Sequence, residues 1–508
     1  MPTYCDIGAA RRQRRIVLIV AAVILASPAA AVAQRSQSWP TNSWPSEQGW
    51  HIDDGTPMTT FEPFPAPQEL SFGSEMIAPG SAVPAESTWP LDLESVPTRP
   101  DPVLELGNPF LGNGPIMPGI EMPGGAVWQP SFLLFGTYRT AVQVYDDGQT
   151  TFGDWTNRLD LYGNLQLTGT ERVLVGIRPL DEDGDFAGYY LRPRQNDGWH
   201  DPFNIELNTL FFEGEIGELI PNVDPRDFGS LDLGFSAGRQ PLFYQEGLLV
   251  NDNVDAIGII RDNLILPGGS DLQIAVVYGW HDIHRENRIT TSGLRLFGLF
   301  SELDCRKAKV NADFVYVDDE KGGNDSAHWG ISSVQRFGHY NTALHVLGSH
   351  ALDGESIAIT TGYLAFGTAS WGIPHTKDYM YVNAFCGIDR FSSAARQPTV
   401  GGPLGRIGLT FAAQGLGQYG SPLSNRADKA VGGSLGYQFI LDDYRRHIIF
   451  EVGARQSTAT NGDGQIAGAV SHRQAYGQHW IVQIDGFGTI QESANEGFGT
   501  RIEVRCEF

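Results

Sequence analysis

Thr500-Arg501-Ile502-Glu503-Val504-Arg505-Cys506-Glu507-Phe508 closes the chain in unbroken alternation. Ile502, Val504, Cys506 and Phe508 fall on one side of an extended backbone; Arg501, Glu503, Arg505 and Glu507 fall on the other. Side chains of a β-strand alternate with period two, so these nine residues predict a strand with one apolar face and one charged face. The same texture runs back to Ser131. In Asn157–Thr168, Leu159, Leu161, Gly163, Leu165 and Leu167 oppose Arg158, Asp160, Tyr162, Asn164 and Gln166; farther on, Ala308, Val310, Ala312, Phe314 and Tyr316 oppose Lys307, Lys309, Asn311 and Asp313.

Soluble sandwiches also alternate. Here, however, strong charges stand in mid-strand on the polar face while the apolar faces end in aromatics, as suits a lipid-facing exterior around a wet lumen. After residue 33 no apolar run is long enough for a membrane helix, which needs about 20 residues. A membrane-spanning chain of this kind must therefore use strands closed on themselves, so that every backbone polar group is satisfied. Segments of alternating sequence bounded by Gly, Asn and Asp give nineteen candidate strands, among them Leu231–Ala237, Ser356–Phe366 and Arg406–Ala413. Even strand numbers are expected of a single-chain bacterial barrel. The expectation is an all-β, transmembrane antiparallel up-and-down barrel of 16 or 18 strands over residues 131–508, behind a disordered N-terminal extension.

Residues 1–33 have the order of a secretory signal: Arg11, Arg12, Arg14 and Arg15, an apolar run from Ile16, then Ala31-Val32-Ala33 as a cleavage site. Residues 34–130 are rich in Pro, Ser and Gly and carry Trp39-Pro40, Trp44-Pro45 and Trp89-Pro90. Twelve acids there face only Arg35 and Arg99. Such a segment reads as an acidic periplasmic linker, or as a tether to cell wall or a partner. The whole chain has a formal charge of −24, which argues against nucleic acid as a partner. Cys305, Cys386 and Cys506 lie far apart and odd in number, so a disulfide framework is not expected, although a Cys305–Cys386 bridge stays open.

The terminal strand, ending on Phe508, resembles the C-terminal signal that hands Gram-negative outer-membrane barrels to their assembly machinery. A second resemblance lies in Gly238-Arg239-Gln240, Tyr244, Gly247-Leu248-Leu249 and Val254-Asp255-Ala256-Ile257-Gly258. This stretch resembles the segment around the Gly-Arg-Gln signature of the alginate-export family of outer-membrane barrels, with Ala256 where that family has Gly. The resemblance implies a porin-like channel whose pore is lined by Arg and Lys and whose cargo is an anion or a polyuronate. Alternation alone would put Arg239 on the face of Phe235 and Ala237; a strand end or bulge would turn it inward, toward solute or toward a carboxylate such as Glu246 or Asp255.

The function expected is a passive channel for a hydrophilic solute or polysaccharide, with outer-membrane lipid and lipopolysaccharide as surroundings. Selectivity would come from the field of lumenal charges: Arg158, Asp160, Arg172, Arg178, Arg239, Lys307, Lys309, Asp313, Arg501, Glu503 and Arg505. A structural anchor working through the Trp-Pro segment and a barrel enzyme are the alternatives. Gly432-Gly433-Ser434-Leu435-Gly436 has the spacing of a nucleophile elbow, but an alternating run follows it rather than a helix. Gly415-Leu416-Gly417-Gln418-Tyr419-Gly420 fits a dinucleotide fingerprint, yet Pro422 follows, so it reads as a Gly-rich loop. No catalytic residue and no cofactor are expected. Asp181, Asp183 and Asp185 are the candidates for a divalent cation on an outer loop, although no bidentate Glu completes the set.

Overall fold

The computed structural model describes residues 100–508 apart from 108–117, 183, 194–196, 224–230, 267, 286–292, 357–358, 413–415, 461 and 493. Residues 1–33, expected as a secretory signal, the Trp-Pro pairs and Asp183 lie outside the described residues.

Eighteen antiparallel strands close on themselves. They are β1 (Ser131–Asp146), β2 (Thr151–Gln166), β3 (Arg172–Ile177), β4 (Leu207–Glu215), β5 (Gly234–Tyr244) and β6 (Val250–Leu264). Next come β7 (Gly269–His281), β8 (Leu294–Cys305), β9 (Ala308–Asp319), β10 (Ser326–Phe337), β11 (Tyr340–Ala351) and β12 (Gly362–Gly372). The wall is completed by β13 (Tyr379–Arg390), β14 (Asp428–Leu441), β15 (Arg446–Ser457), β16 (Gly464–Tyr476), β17 (Trp480–Gln491) and β18 (Gly497–Glu507). The terminal strand makes the closure: β18 pairs with β1 from Phe498↔Asp146 to Glu507↔Thr137. Phe508 and Gly136 exchange both backbone hydrogen bonds, at 2.7 and 3.0 Å.

Alternation decides which residues face out. Phe297, Leu299, Phe314, Ile331, Val346, Phe450, Val452 and Ile502 are exposed on the outer wall, where hydrocarbon rather than water favours them. At the rim where β1 begins and β18 ends, connections are mostly short turns, such as those at 306–307 and 338–339. The far rim carries the long segments 178–206 and 391–427. Part of the first rebuilds the wall there: residues 185–192 pair with β2, from Ala187↔Asn157 to Arg192↔Gly153, and 198–200 pair with 188–190 in turn.

Three of the sequence expectations need correction. The segment 406–413 is no strand: Gly408 has φ +61° and the chain there makes a helical turn, Gly408–Phe411, inside the barrel. Its apolar residues pack against the inner wall, Phe411 on Phe385 and Leu409 with Tyr381 and Ile449, so they mimic a strand in composition only. The expected strand Ser356–Phe366 begins instead at Gly362. Order also begins ahead of Ser131, because Leu104–Leu106 pair with Phe132–Leu134 beside the end of β18 and a small hairpin joins Ile120–Glu121 to Val127–Trp128. All three cysteines in the barrel are free.

Candidate functional site: the lumen and its infolded arms

Two far-rim segments turn into the barrel. The first is the β5–β6 hairpin tip. Gln245, Glu246 and Gly247 take φ of 54°, 53° and 74°, and Gly247 N–H donates to Tyr244 O at 3.1 Å. Two non-glycine residues in the left-handed region are strained. Here contacts with β9 and β11 hold them: Gln245 Nε2 donates to Asp313 at 2.8 Å and its Oε1 lies 3.3 Å from His345 Nδ1. Glu246 lies 3.5 Å from the same imidazole. Burial raises the Glu246 carboxyl, but His345 and Arg406 outweigh it and hold it below the ordinary carboxylate range.

The second arm is 391–427. Its root runs parallel to the hairpin, Ala395 beside Val250 and Arg396 beside Asn251, and Ser393 Oγ donates to Leu248 O at 2.8 Å. Glu451, lumenal on β15, then seizes the helical turn: its carboxylate accepts Leu409 N–H at 2.8 Å, Thr410 N–H at 2.8 Å, Thr410 Oγ1 at 2.6 Å and the Tyr381 hydroxyl. The tip crosses to β1 and β2, where Gln143 Nε2 donates to Leu416 O at 2.7 Å and Gln418 N–H donates to Asp154 at 2.9 Å. It returns past β17, whose Thr489 hydroxyl donates to Pro422 O at 3.0 Å.

These arms carry the hydrophobic core. Leu248, Leu249, Val250, Phe391, Leu404, Phe411 and Leu423 pack against lumenal Leu296, Val315, Leu347, Leu364 and Phe385 in one cluster. That is why the lumenal face turns apolar along parts of β8–β13. Arg285, in the β7–β8 connection, is buried beside this core. It donates to Ser326 Oγ at 3.0 Å and Asn324 O at 3.1 Å, and burial lowers its guanidinium to about 10 although Asp319 and Asp325 pull the other way.

The wall from β16 round to β3 stays polar. Register sets residues in levels: Ser471, Asp485, Arg501, Gln143 and Asp154 in one, and Arg505, Arg139 and Arg158 in another. Between the levels, Glu503 takes Arg139 at 2.7 Å and Arg501 at 3.2 Å, while Arg501 also reaches Asp485 at 3.0 Å. Next to them, Asp160 takes Arg158 at 2.7 Å and Arg178 at 2.8 Å, and Arg178 continues to Asp181 at 3.1 Å. Removing water from charges is costly unless each is paired and hydrogen-bonded, and these ladders meet that condition.

The lumenal positions expected from the sequence thus fall into separate groups. Arg158, Asp160, Arg178, Arg501, Glu503 and Arg505 share the polar wall. Arg172 pairs with Glu213 near the terminal rim, Lys309 pairs with Glu302, and Asp313 holds the hairpin tip. Two differ from expectation. Lys307 is exposed in the turn between β8 and β9. Arg239 stays on the outer wall, because β5 continues through it to Tyr244 with no bulge; there it binds Asp255 at 2.8 Å and Asp282 at 3.2 Å. Of the other signature residues, Gly238 has φ +126° and a Cβ there would lie 2.2 Å from Leu210 O, so only glycine fits. Gln240 is lumenal and donates to Ala256 O at 3.3 Å.

Asp181 is committed to Arg178 and to Gly184 N–H, the latter at 2.8 Å, and Asp185 lies 3.4 Å from the Tyr190 hydroxyl. Among the described residues no group of three or more His, Cys, Asp or Glu is arranged to hold a metal ion. Sequence reasoning missed Arg139, Gln143, Asp154, Glu451 and Asp485. The first two were within reach, since Thr137, Arg139, Ala141 and Gln143 make a polar face in the first strand; Glu451 gains its meaning only from the arm it holds.

Solved structures with the same fold are porin-type barrels. A structure of OccAB3 from Acinetobacter baumannii superposes with a TM-score of 0.51 at 11% identity, covering 74% of this chain and 99% of that one. A BenF-like porin from Pseudomonas fluorescens Pf-5 gives 0.51 at 10% identity, covering 74% and 98%. The outer membrane protein opdK from Pseudomonas aeruginosa gives 0.48 at 10% identity, covering 74% and 98%. No protein-family model matches the sequence, and no curated protein matches it.

Proposed function

We propose that this chain is a passive outer-membrane channel for hydrophilic solutes. The observation that carries the reading is a closed barrel, apolar outside, whose inner wall from β16 round to β3 carries paired Arg, Asp and Glu side chains, with the tip of one infolded arm lying against part of it. A lumen meant only to be filled would favour packed apolar residues over buried ion pairs, which gain little stability for their desolvation. Charges so placed set a local field for whatever passes. In this reading the terminal rim, with its short turns, faces the periplasm, and the long segments face outward. Phe508 is the handle for the barrel assembly machinery and lipopolysaccharide surrounds the outer half.

The test is single-channel recording of the purified full chain in planar bilayers. Discrete conductance steps in potassium chloride support the channel. A protein that is folded by heat-modifiable gel mobility yet gives no steps at any voltage refutes it.

A further inference from the structure

The arm tip at 416–422 fits the polar wall in shape but not in hydrogen bonding. Gly417 has φ +63°, and a Cβ on it would lie 2.4 Å from Gln143 Nε2, 2.5 Å from Asp154 Oδ2 and 2.7 Å from Thr156 Cγ2. Tyr419 rests against Tyr145 and Phe487, with ring centroids 6.2 and 5.7 Å away, and 5.6 Å from the Arg501 guanidinium. Within this close contact four side-chain oxygens are buried without a hydrogen-bond partner: Gln143 Oε1 and Thr156 Oγ1 on the wall, Gln418 Oε1 and the Tyr419 hydroxyl on the tip. Buried polar groups are ordinarily satisfied, and such a concentration at one contact marks a surface shaped for another partner. The Gln143 amide is oriented by its bond to Leu416 O, so its free atom is an acceptor and needs a donor. The cavity beside Tyr419 and Asp485 is about 10 Å³, room for one water and no more.

We infer that the tip–wall contact is a solute subsite in its closed form, which neutral polyhydroxylated solutes such as saccharides open by separating 416–422 from β1, β2 and β17. Hydroxyl groups donate and accept, so one such solute satisfies Gln143 Oε1, the Thr156 hydroxyl and the tip residues together. The carboxylates of a uronate only accept when ionised, so they add nothing for the amide oxygens, and they would meet the like charges of Asp154 and Asp485 at this contact. Tyr419 supplies an aromatic face for the sugar ring. This inference rests on the channel reading above.

The experiment compares block of potassium chloride current by maltotriose and by trigalacturonate, in wild type and in Thr156→Val and Tyr419→Phe. Each substitution deletes one unpartnered oxygen and nothing that the closed contact uses, so both variants should fold with wild-type heat-modifiable mobility. Maltotriose should block wild type more tightly than trigalacturonate, and the double variant should lose at least tenfold of that block. Equal maltotriose block in wild type and double variant, no maltotriose block of a conducting channel, or tighter block by trigalacturonate each overturns the subsite. Absence of any conductance overturns the channel reading itself, a separate failure.

Discussion

Glu451→Ala is the perturbation that most directly separates the barrel from what fills it. The carboxylate accepts two backbone N–H groups, both at 2.8 Å, and two hydroxyls, and it is almost wholly buried. Its loss leaves the N–H groups of Leu409 and Thr410 without their acceptor. A buried donor left unmade costs about 1–3 kcal/mol; with both hydroxyls free to rotate elsewhere, two such donors give a net of ~3 kcal/mol. That corresponds to a shift of about 150-fold between docked and undocked arm. The wall strands keep their ladders, so the barrel should still form and still show heat-modifiable mobility. Undocking should instead appear as a larger and noisier single-channel current, and as faster protease cleavage within 391–427 in intact cells. Glu451→Gln retains an acceptor oxygen and should fall between the two. Wild-type conductance, noise and cleavage in Glu451→Ala would refute the assignment of Glu451 as the strut of this arm.

Outer-wall arginines report on the lipid face: Val452→Arg and Ile502→Arg should each cost roughly 2–4 kcal/mol near the bilayer midplane, seen as loss of the heat-modifiable band. Arg158→Leu should fold, because Arg178 still pairs with Asp160, but should shift reversal potentials in a salt gradient toward cations as fixed positive charge leaves the wall. Phe508→Asp should cripple assembly, and undiminished levels of folded barrel would count against the terminal aromatic as a handle. Gly238→Ala should reduce folding sharply, since its Cβ would strike the Leu210 carbonyl; a normal yield would show that β4 and β5 can part there. Deleting 34–99 should leave a conducting barrel, whereas extending the deletion to 130 also removes the strand beside Phe132–Leu134 and should lower yield.

The sequence by itself determined the wall. A lipid-facing strand needs an apolar residue at every second position, and that constraint is local, so Ile502, Val504 and Phe508, or Leu159 and Leu161, announce their face without knowledge of any neighbour. Eighteen of the nineteen candidate segments are wall strands for this reason. Lumenal direction was legible by the same rule, and Arg239 shows its strength: alternation placed it outward, where it lies, while the family resemblance argued it inward. Tertiary structure alone decided the interior. Apolar composition does not distinguish Arg406–Ala413 from a strand; it is an arm because Gly408 turns it and Glu451, some forty residues on, receives it. Likewise Arg139 finds Glu503 across the seam where the first strand meets the last. Such pairings depend on closure of the barrel, which brings together residues with no periodic relation to one another.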